Sequence, residues 1–308
     1  MTPLRSALAD YLSVRRALGY KLQRPEKLLN QFLTHLEDLG EERVTVSAAL
    51  EWATLPKNGD QSWWSLRLSA VRCFSIHVNT VAPQNETIPK GLLPWKKCRA
   101  TPYLYSAEDI LALIVAAGIL HTPHRVATYR TLVGLLAVTG MRVGEAIGLD
   151  RGDVDPTTKV VVVREGKFGK TRELPLHPST AQALRDYTCR QDHPRSNKGT
   201  AALFVSSAGT RLLYGNVQHT FRKLASRAGL EPRSSRCRPR LHDLRHSFAV
   251  RTILDGYPHD GDKQSRLALL STYLGHVDPG HTYWYLSAAP ELMQLAGDRL
   301  ENHLAGAS

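Results

Sequence analysis

The sequence has few cysteines and no long apolar run. Its four cysteines, Cys73, Cys98, Cys189 and Cys237, lie far apart, and no two of them form a C-x-x-C pair. This spacing argues against a thiolate zinc site and against a disulfide framework, and it fits a reducing compartment. No run of about 18 apolar residues occurs, so the sequence predicts no membrane span. The opening stretch MTPLRSALADYLSVRR lacks the apolar core of a secretory signal. We therefore expect a cytoplasmic protein without a membrane partner.

Acidic residues are too few to balance the basic ones. The 308 residues include 40 Lys and Arg against 28 Asp and Glu, which gives a formal net charge of +12 and a pI near 9.7. A charge of this sign favours a polyanionic partner, namely DNA, RNA or an acidic membrane face. Residues 190–245 hold twelve of the Lys and Arg against three acidic residues, so this stretch alone carries +9.

Four arginines stand close together within that stretch: Arg233, Arg236, Arg238 and Arg240. Their guanidiniums repel one another unless a phosphate backbone or solvent separates them, and the planar guanidinium fork suits phosphate. One interpretation is a solvated basic loop, but the overall charge favours contact with nucleic acid. Further candidate DNA contacts, two near the N-terminus and two in a basic string before residue 100, are Arg15, Arg16, Lys96 and Lys97.

The first 80 residues have the apolar periodicity of helices. Helices are predicted near 4–18, 28–39, 47–55 and 62–78. Four short helices predict a compact all-α unit, because short loops favour the packing of neighbouring helices.

The stretch between residues 81 and 105 contains four prolines, which block helix continuation and indicate a linker. A capping-box pattern, Ser106 to Asp109, then predicts the start of a new domain. We therefore expect a helical unit over 1–95, a basic linker over 96–105 and a second domain over 106–308.

The second domain combines helices with a β-hairpin. A β-branched run at 159–164 and a partner segment at 171–176 predict two strands, and the glycines of 165–170 predict the turn between them. Helices are predicted at 106–117, 123–138, 142–149, 178–191, 215–229, 241–254, 263–274 and 290–304. The expected fold class is mainly α with a small β-sheet.

Three strings place polar residues where a helix start meets a loop: TGMRVGEAIGL at 139–149, LHDLRHSFA at 241–249 and LGHVDPGHTYWY at 274–285. Arg142 and Glu145 are three residues apart, so the carboxylate can orient the guanidinium. His242 and Arg245 have the same spacing and would share one face of a helix. The strings therefore bring basic and titratable groups to helix ends.

Together the strings resemble the tyrosine recombinase, or phage integrase, family. TGMRVGEAIGL resembles its first-arginine box, GKFGKTRELPL its hairpin-lysine segment and LHDLRHSFA its H-x-x-R box. STYLGH, followed by a tyrosine nine residues after its histidine, resembles the terminal box. Several dispersed motifs in the right order are more specific than any one of them. The resemblance covers the second domain and implies an α+β catalytic domain behind an all-α, SAM-like core-binding domain.

The resemblance implies a catalytic set of Arg142, Lys167, His242, Arg245, His276 and Tyr285, with Glu145 as support. The two arginines bind phosphate, Lys167 is the general acid, and Tyr285 is the nucleophile. His242 assists proton transfer, and His276 contacts the phosphate or the leaving group. Two alternatives stay open, because Lys170 lies in the same turn as Lys167 and Tyr283 lies two residues before Tyr285.

The implied reaction is metal- and ATP-independent, because a covalent 3′-phosphotyrosyl intermediate conserves the energy of the phosphodiester. No cofactor is expected. The leading function is a site-specific DNA recombinase for the integration or transposition of a mobile element. The alternatives are resolution of chromosome or plasmid dimers, a type IB topoisomerase and a non-catalytic DNA-binding protein.

The expected partners are double-stranded DNA with inverted half-sites and further copies of the chain. A dimer would bind each site, two dimers would form a tetramer in the synapse, and the helix predicted at 290–304 would link the protomers. Such a protein would be associated with the nucleoid.

Overall fold

The computed structural model describes residues 2–57, 59–94, 100–164, 171–194, 200–256, 263–275 and 280. The contacts divide the chain into two units, Met1–Arg99 and Ala100–Ser308. Each unit has its own hydrophobic core.

The described part of the first unit contains four helices, α1 (Pro3–Ala17), α2 (Gln23–Asp38), α3 (Val46–Thr54) and α4 (Gln61–Val81). Thr45 and Asp60 are the N-cap residues of α3 and α4, because each side chain accepts a hydrogen bond from a backbone N–H in the first turn. The apolar faces meet in a core around Phe32 and Phe74, both fully buried. The four predicted helices are confirmed, and α4 extends three residues beyond its predicted end.

The chain after α4 packs back on the first unit. The side-chain oxygen of Asn85 accepts a hydrogen bond from the Val44 N–H at 2.9 Å. Ile88 is buried in the same core, and its N–H donates to the Ser75 hydroxyl at 3.0 Å. The prolines of this stretch end the helix, but they do not prevent the chain from packing.

Residues 100–105 belong to the second unit, although the sequence placed them in the linker. Tyr103 and Tyr105 are 5% and 3% exposed and lie in the core of that unit. The prediction was wrong here because proline density reports only the absence of a helix, whereas two aromatic rings bring a large apolar area to bury. Lys96 and Lys97 lie outside the described residues.

The described part of the second unit contains α5 (Ala107–Ala116), α6 (Pro123–Thr139), α7 (Val143–Gly148), α8 (Pro178–Thr188), α9 (Tyr214–Arg227), α10 (Asp243–Gly256) and α11 (Lys263–Leu274). Its strands are β1 (Val154–Asp155), β2 (Val160–Val163) and β3 (Arg172–Pro175). The predicted helices within the described residues are confirmed, with ends that differ by up to three residues. The helix predicted at 290–304 lies outside the described residues.

The three strands form one antiparallel sheet in the order β1-β2-β3, with Val161 opposite Leu174. Val161, Val163 and Leu174 are buried on the face that covers the helices. The hairpin strands β2 and β3 are confirmed. The two residues of β1 were missed because so short a strand has no alternation to detect.

Two helices at the C-terminal end of the described chain position the candidate site. α10 packs against α6, and α11 packs against α10 through Ala249, Val250, Leu270 and Leu274. The end of α11 therefore lies beside the turn between α6 and α7. Among the described residues, no helix combines the length and apolarity that a membrane crossing needs.

Candidate active site

Arg142 and Glu145 open helix α7. Gly140 ends α6 in the left-handed region, at φ +58°, and a Cβ there would lie 2.4 Å from a ring carbon of Phe248. The chain then turns, and the Glu145 carboxylate accepts hydrogen bonds from the Arg142 backbone N–H at 2.9 Å and from Nη1 at 2.8 Å. The predicted pairing of these two side chains is confirmed, so the guanidinium is held in one direction.

Arg245 lies in the first turn of α10 and is only 2% exposed. Its Nη1 donates to the Gly140 carbonyl at 2.8 Å, and its Nη2 donates to the Leu274 carbonyl at 2.6 Å. A buried guanidinium needs such acceptors, because burial of an uncompensated charge is costly. Arg245 therefore joins the end of α6 to the end of α11.

His242 lies immediately before α10, and not on the helix as the sequence suggested, because the helix begins at Asp243. The residue is exposed, and its imidazole packs edge-on against His246, with ring centroids 5.0 Å apart. Desolvation, followed by the charges of Arg245 and Arg142, lowers the pKa of His242 to about 4. The ring is therefore neutral at pH 7.

Three arginines donate to three successive carbonyls at the end of α11. Arg142 Nη2 reaches the Gly275 oxygen at 3.3 Å, and Arg245 reaches that of Leu274. The third arginine, Arg172 on β3, donates through Nε to the Tyr273 carbonyl at 2.9 Å. The last carbonyls of a helix have no partner within it, and its C-terminus carries partial negative charge, so guanidiniums are favourable there.

Arg172 was missed by the sequence analysis. It occupies a strand position that shares a face with buried Leu174, and an arginine on the apolar face of a strand needs an acceptor. The strand position of Arg172 could be seen in the sequence. The identity of its acceptor could not, because Glu145 lies on a different element.

Glu145 accepts from both neighbouring arginines, and its side chain is 6% exposed. Arg172 donates to its two oxygens at 3.2 and 2.7 Å. Desolvation raises the pKa of Glu145, but hydrogen bonds and charge from Arg172, together with hydrogen bonds from Arg142, outweigh it and lower the pKa to about 2. The carboxylate is therefore ionised at neutral pH, as an orienting acceptor must be.

Two arginines of the basic loop before α10 have partners within the second unit. Arg240 donates to both carboxylate oxygens of buried Asp243 at 2.9 and 2.8 Å. The Arg233 guanidinium lies 4.5 Å over the Tyr103 ring and donates to a backbone carbonyl of the 100–105 segment. Both arginines thus have partners within the second unit and help to hold residues 100–105 in place, while Arg233 stays exposed and the Arg240 side chain is 41% exposed. Contact of the four arginines with DNA stays a prediction.

The exposed arginines of that loop are Arg233, Arg236 and Arg238, and Arg240 is half-buried. In the first unit, Arg16 pairs with Glu26 at 2.6 Å, and the Arg15 guanidinium lies 3.9 Å over the ring of Tyr20. The charges of both N-terminal arginines thus already have neighbours within their own unit.

The remaining predicted catalytic residues, Lys167, His276 and Tyr285, lie outside the described residues, as do the alternatives Lys170 and Tyr283. His276 follows Gly275 directly in the chain. Within the described ranges, no group of three or more His, Cys, Asp and Glu is arranged to hold a metal ion. What the described part brings together is a neutral imidazole and three oriented guanidiniums, a combination suited to an anion.

A model of the phage integrase family matches residues 107–291 of the chain. The chain is 41% identical over 309 residues to a putative integrase/recombinase, y4rB, of Sinorhizobium fredii, with 98% of both sequences covered. It is 28% identical over 293 residues to the tyrosine recombinase XerD of Mycobacterium tuberculosis, with 90% of both covered.

Solved structures with the same fold include the integrase of transposon Tn1549 in complex with transposon right-end DNA. It has a TM-score of 0.64 and 17% identity, with 98% of this chain and all of that one covered. A lambda integrase dimer bound to a core site has a TM-score of 0.61 and 18% identity, with 91% and 76% covered. At these identities the likeness concerns the fold alone.

Proposed function

Because the chain belongs to the phage integrase family of tyrosine recombinases, which cleave and rejoin DNA through a tyrosine intermediate, we propose that it is a site-specific recombinase that integrates or transposes a mobile element. The single observation that carries the proposal is the convergence of Arg142 and Arg245 on the end of α11. From there the chain runs directly into His276 and on to Tyr285.

Two guanidiniums suit a DNA phosphodiester because it is anionic and repels nucleophiles. Arg142 and Arg245 would bind its non-bridging oxygens and stabilise the charge that shifts onto them in the transition state. One such donor is worth about 10²–10³ in rate at comparable oxyanion sites.

In the cleavage step, the Tyr285 oxygen attacks phosphorus, and the bond from phosphorus to the 5′ oxygen breaks. The tyrosine proton passes to a base, and we propose that His242 assists this transfer. Lys167 gives a proton to the departing oxygen, because an alkoxide is a poor leaving group. His276 contacts the phosphate. Attack by a 5′-hydroxyl of a second strand reverses these steps and reseals the DNA.

The partner we propose is double-stranded DNA that carries inverted half-sites. In solved structures of this fold, a lambda integrase dimer is bound to a core site and a lambda integrase tetramer to a Holliday junction. We propose the same stages for this chain, a dimer on each site and a tetramer in the synapse, and we place it at the nucleoid. The exposed Arg236 and Arg238 are its candidate phosphate contacts outside the catalytic set.

A mobile element is the proposed substrate because the putative integrase/recombinase y4rB is more similar to this chain than XerD is, at 41% against 28% identity. The Tn1549 transposon integrase also shares its fold over nearly the whole chain. The similarity to XerD over 90% of the chain supports the second candidate, the resolution of chromosome or plasmid dimers.

The test uses nicked suicide duplexes that carry candidate sites from the flanks of the source element. A covalent adduct that survives SDS is expected for wild type and for Tyr283→Phe, and it should be absent for Tyr285→Phe. Loss only in Tyr283→Phe would move the nucleophile to that residue. Relaxation of supercoiled plasmids that lack any such site would favour the topoisomerase. Binding to the sites with no adduct in any variant would favour a non-catalytic DNA-binding protein.

A further inference from the structure

Arg172 uses its guanidinium to join three segments of the second unit. It is the first residue of β3. Its Nη1 and Nη2 donate to the two oxygens of Glu145 on α7, and its Nε donates to the Tyr273 carbonyl on α11. Its side chain is 14% exposed. Because its three donors lie on Glu145 and on the end of α11, Arg172 is placed to hold both of them in position.

The contact with Glu145 determines how Arg142 is held. Glu145 accepts hydrogen bonds from both Arg142 and Arg172. Arg142 donates one terminal nitrogen to this carboxylate and the other to the Gly275 carbonyl. Without Arg172, the carboxylate would have Arg142 as its remaining guanidinium partner and would draw it into a two-pronged pair. Arg142 would then turn away from the end of α11.

The contact with α11 determines where the chain leaves the helix. Gly275 ends α11 with φ +67°, and a Cβ there would lie 3.0 Å from Arg172 Nη1. The guanidinium therefore packs directly against the turn from which the chain continues to His276 and Tyr285. A displacement of this turn would move the point from which the chain continues towards Tyr285.

We infer that Arg172 is a positioning residue for strand cleavage, which orients Arg142 through Glu145 and holds the end of α11. The inference rests on the proposed function, since it names a further residue for the same reaction. A misplacement of about 1 Å in an active site can cost about 10²-fold in rate. We therefore expect Arg172→Gln to slow cleavage by about 10–10²-fold with DNA affinity little changed.

The matched control is Arg164→Gln. Arg164 follows β2 in the same sheet and pairs with the carboxylate of buried Asp153 at 2.5 Å. Its replacement also leaves a buried carboxylate without its arginine. The hydrogen bond between Arg164 and Asp153 does not involve α11. The Arg164 side chain is 66% exposed and that of Arg172 is 14% exposed, so urea denaturation of both variants is used to correct for a difference in their stability.

The first measurement is hydrogen exchange of the peptide that covers residues 265–275, without DNA. The Gly275 N–H donates to the Thr272 carbonyl at 2.9 Å, and its exchange reports on the end of the helix. Faster exchange is expected in Arg172→Gln and not in Arg164→Gln. Unchanged exchange in Arg172→Gln would overturn the inference.

The second measurement is single-turnover adduct formation on a suicide duplex, in which partial unfolding lowers the amplitude whereas misplacement lowers the rate constant. A lower rate constant is expected in Arg172→Gln, with an intermediate value in Arg172→Lys, because lysine keeps the charge but lacks the fork. An unchanged rate constant beside faster exchange would also overturn the inference. If wild type forms no adduct while the exchange result holds, the proposed function fails and the structural role of Arg172 stands.

Discussion

Replacement of Glu145 by glutamine tests the electrostatic basis of the site. The pKa of this carboxyl is lowered from 4.5 to about 2, which corresponds to about 3 kcal/mol at ~1.4 kcal/mol per pH unit. Its side chain is 6% exposed, so solvent screens it little. Because the lowered pKa belongs to the folded state, this stability is present above pH 4.5 and is lost as the pH falls towards 2.

Glu145→Gln removes the charge and leaves two guanidiniums facing a neutral amide. We expect a loss of about 3 kcal/mol in the free energy of unfolding at pH 7, which agrees with the ~3–5 kcal/mol found when one partner of a buried ion pair is removed. The difference from wild type should shrink as the pH falls from 4.5 towards 2, because the wild-type carboxyl is then protonated too.

The assay is urea denaturation followed by circular dichroism at pH 7, 5 and 3. Glu173→Gln is the matched control, since Glu173 is exposed on the opposite face of the same strand as Arg172, and its replacement should change stability by less than ~0.5 kcal/mol. A loss below ~1 kcal/mol in Glu145→Gln at pH 7, or a loss that does not vary with pH, would show that this carboxylate is not stabilised by the two arginines.

Three further predictions concern single positions. Gly140→Ala should lower the free energy of unfolding by about 2–4 kcal/mol in urea denaturation, because the backbone is left-handed there and a Phe248 ring carbon lies 2.4 Å from the added Cβ. Gly134→Ala, whose Cβ would meet open space within a helix, should be neutral or stabilising, and equal losses in the two variants would contradict this. The ring protons of His242 should titrate by NMR with a midpoint near 4, and a midpoint near 6.5 would show that the ring is not desolvated. Arg238→Gln should reduce DNA affinity and lower the slope of log affinity against log salt by about 1. Arg240→Gln should instead lower stability, by about 1–2 kcal/mol, because its partly exposed guanidinium donates two hydrogen bonds to the buried Asp243 carboxylate, and the opposite pattern would overturn the assignment.

Local patterns predicted most of the secondary structure. The helical periodicity of the first unit and the valine run of β2 are properties of neighbouring residues, and both elements formed where expected. The pairing of Arg142 with Glu145 was predictable for the same reason, since three residues along a helix start bring two side chains together.

The roles of the basic residues were harder to predict. Arg233 and Arg240 have the composition of a phosphate-binding loop, but the structure directs them at Tyr103 and Asp243. The charge pattern of the sequence does not show which arginines also find a partner within the protein. That depends on how the elements pack against one another.

The family, the mainly helical fold and the order of the motifs could be predicted from the sequence, because they depend on residue identity and short-range spacing. The contacts of Arg172 with Glu145 and with the end of α11 became visible in the folded chain. Those contacts join residues 27 and 101 positions apart. No local periodicity connects such positions, and they meet because the apolar faces of α6, α10, α11 and the sheet pack together and bring the guanidiniums to their acceptors.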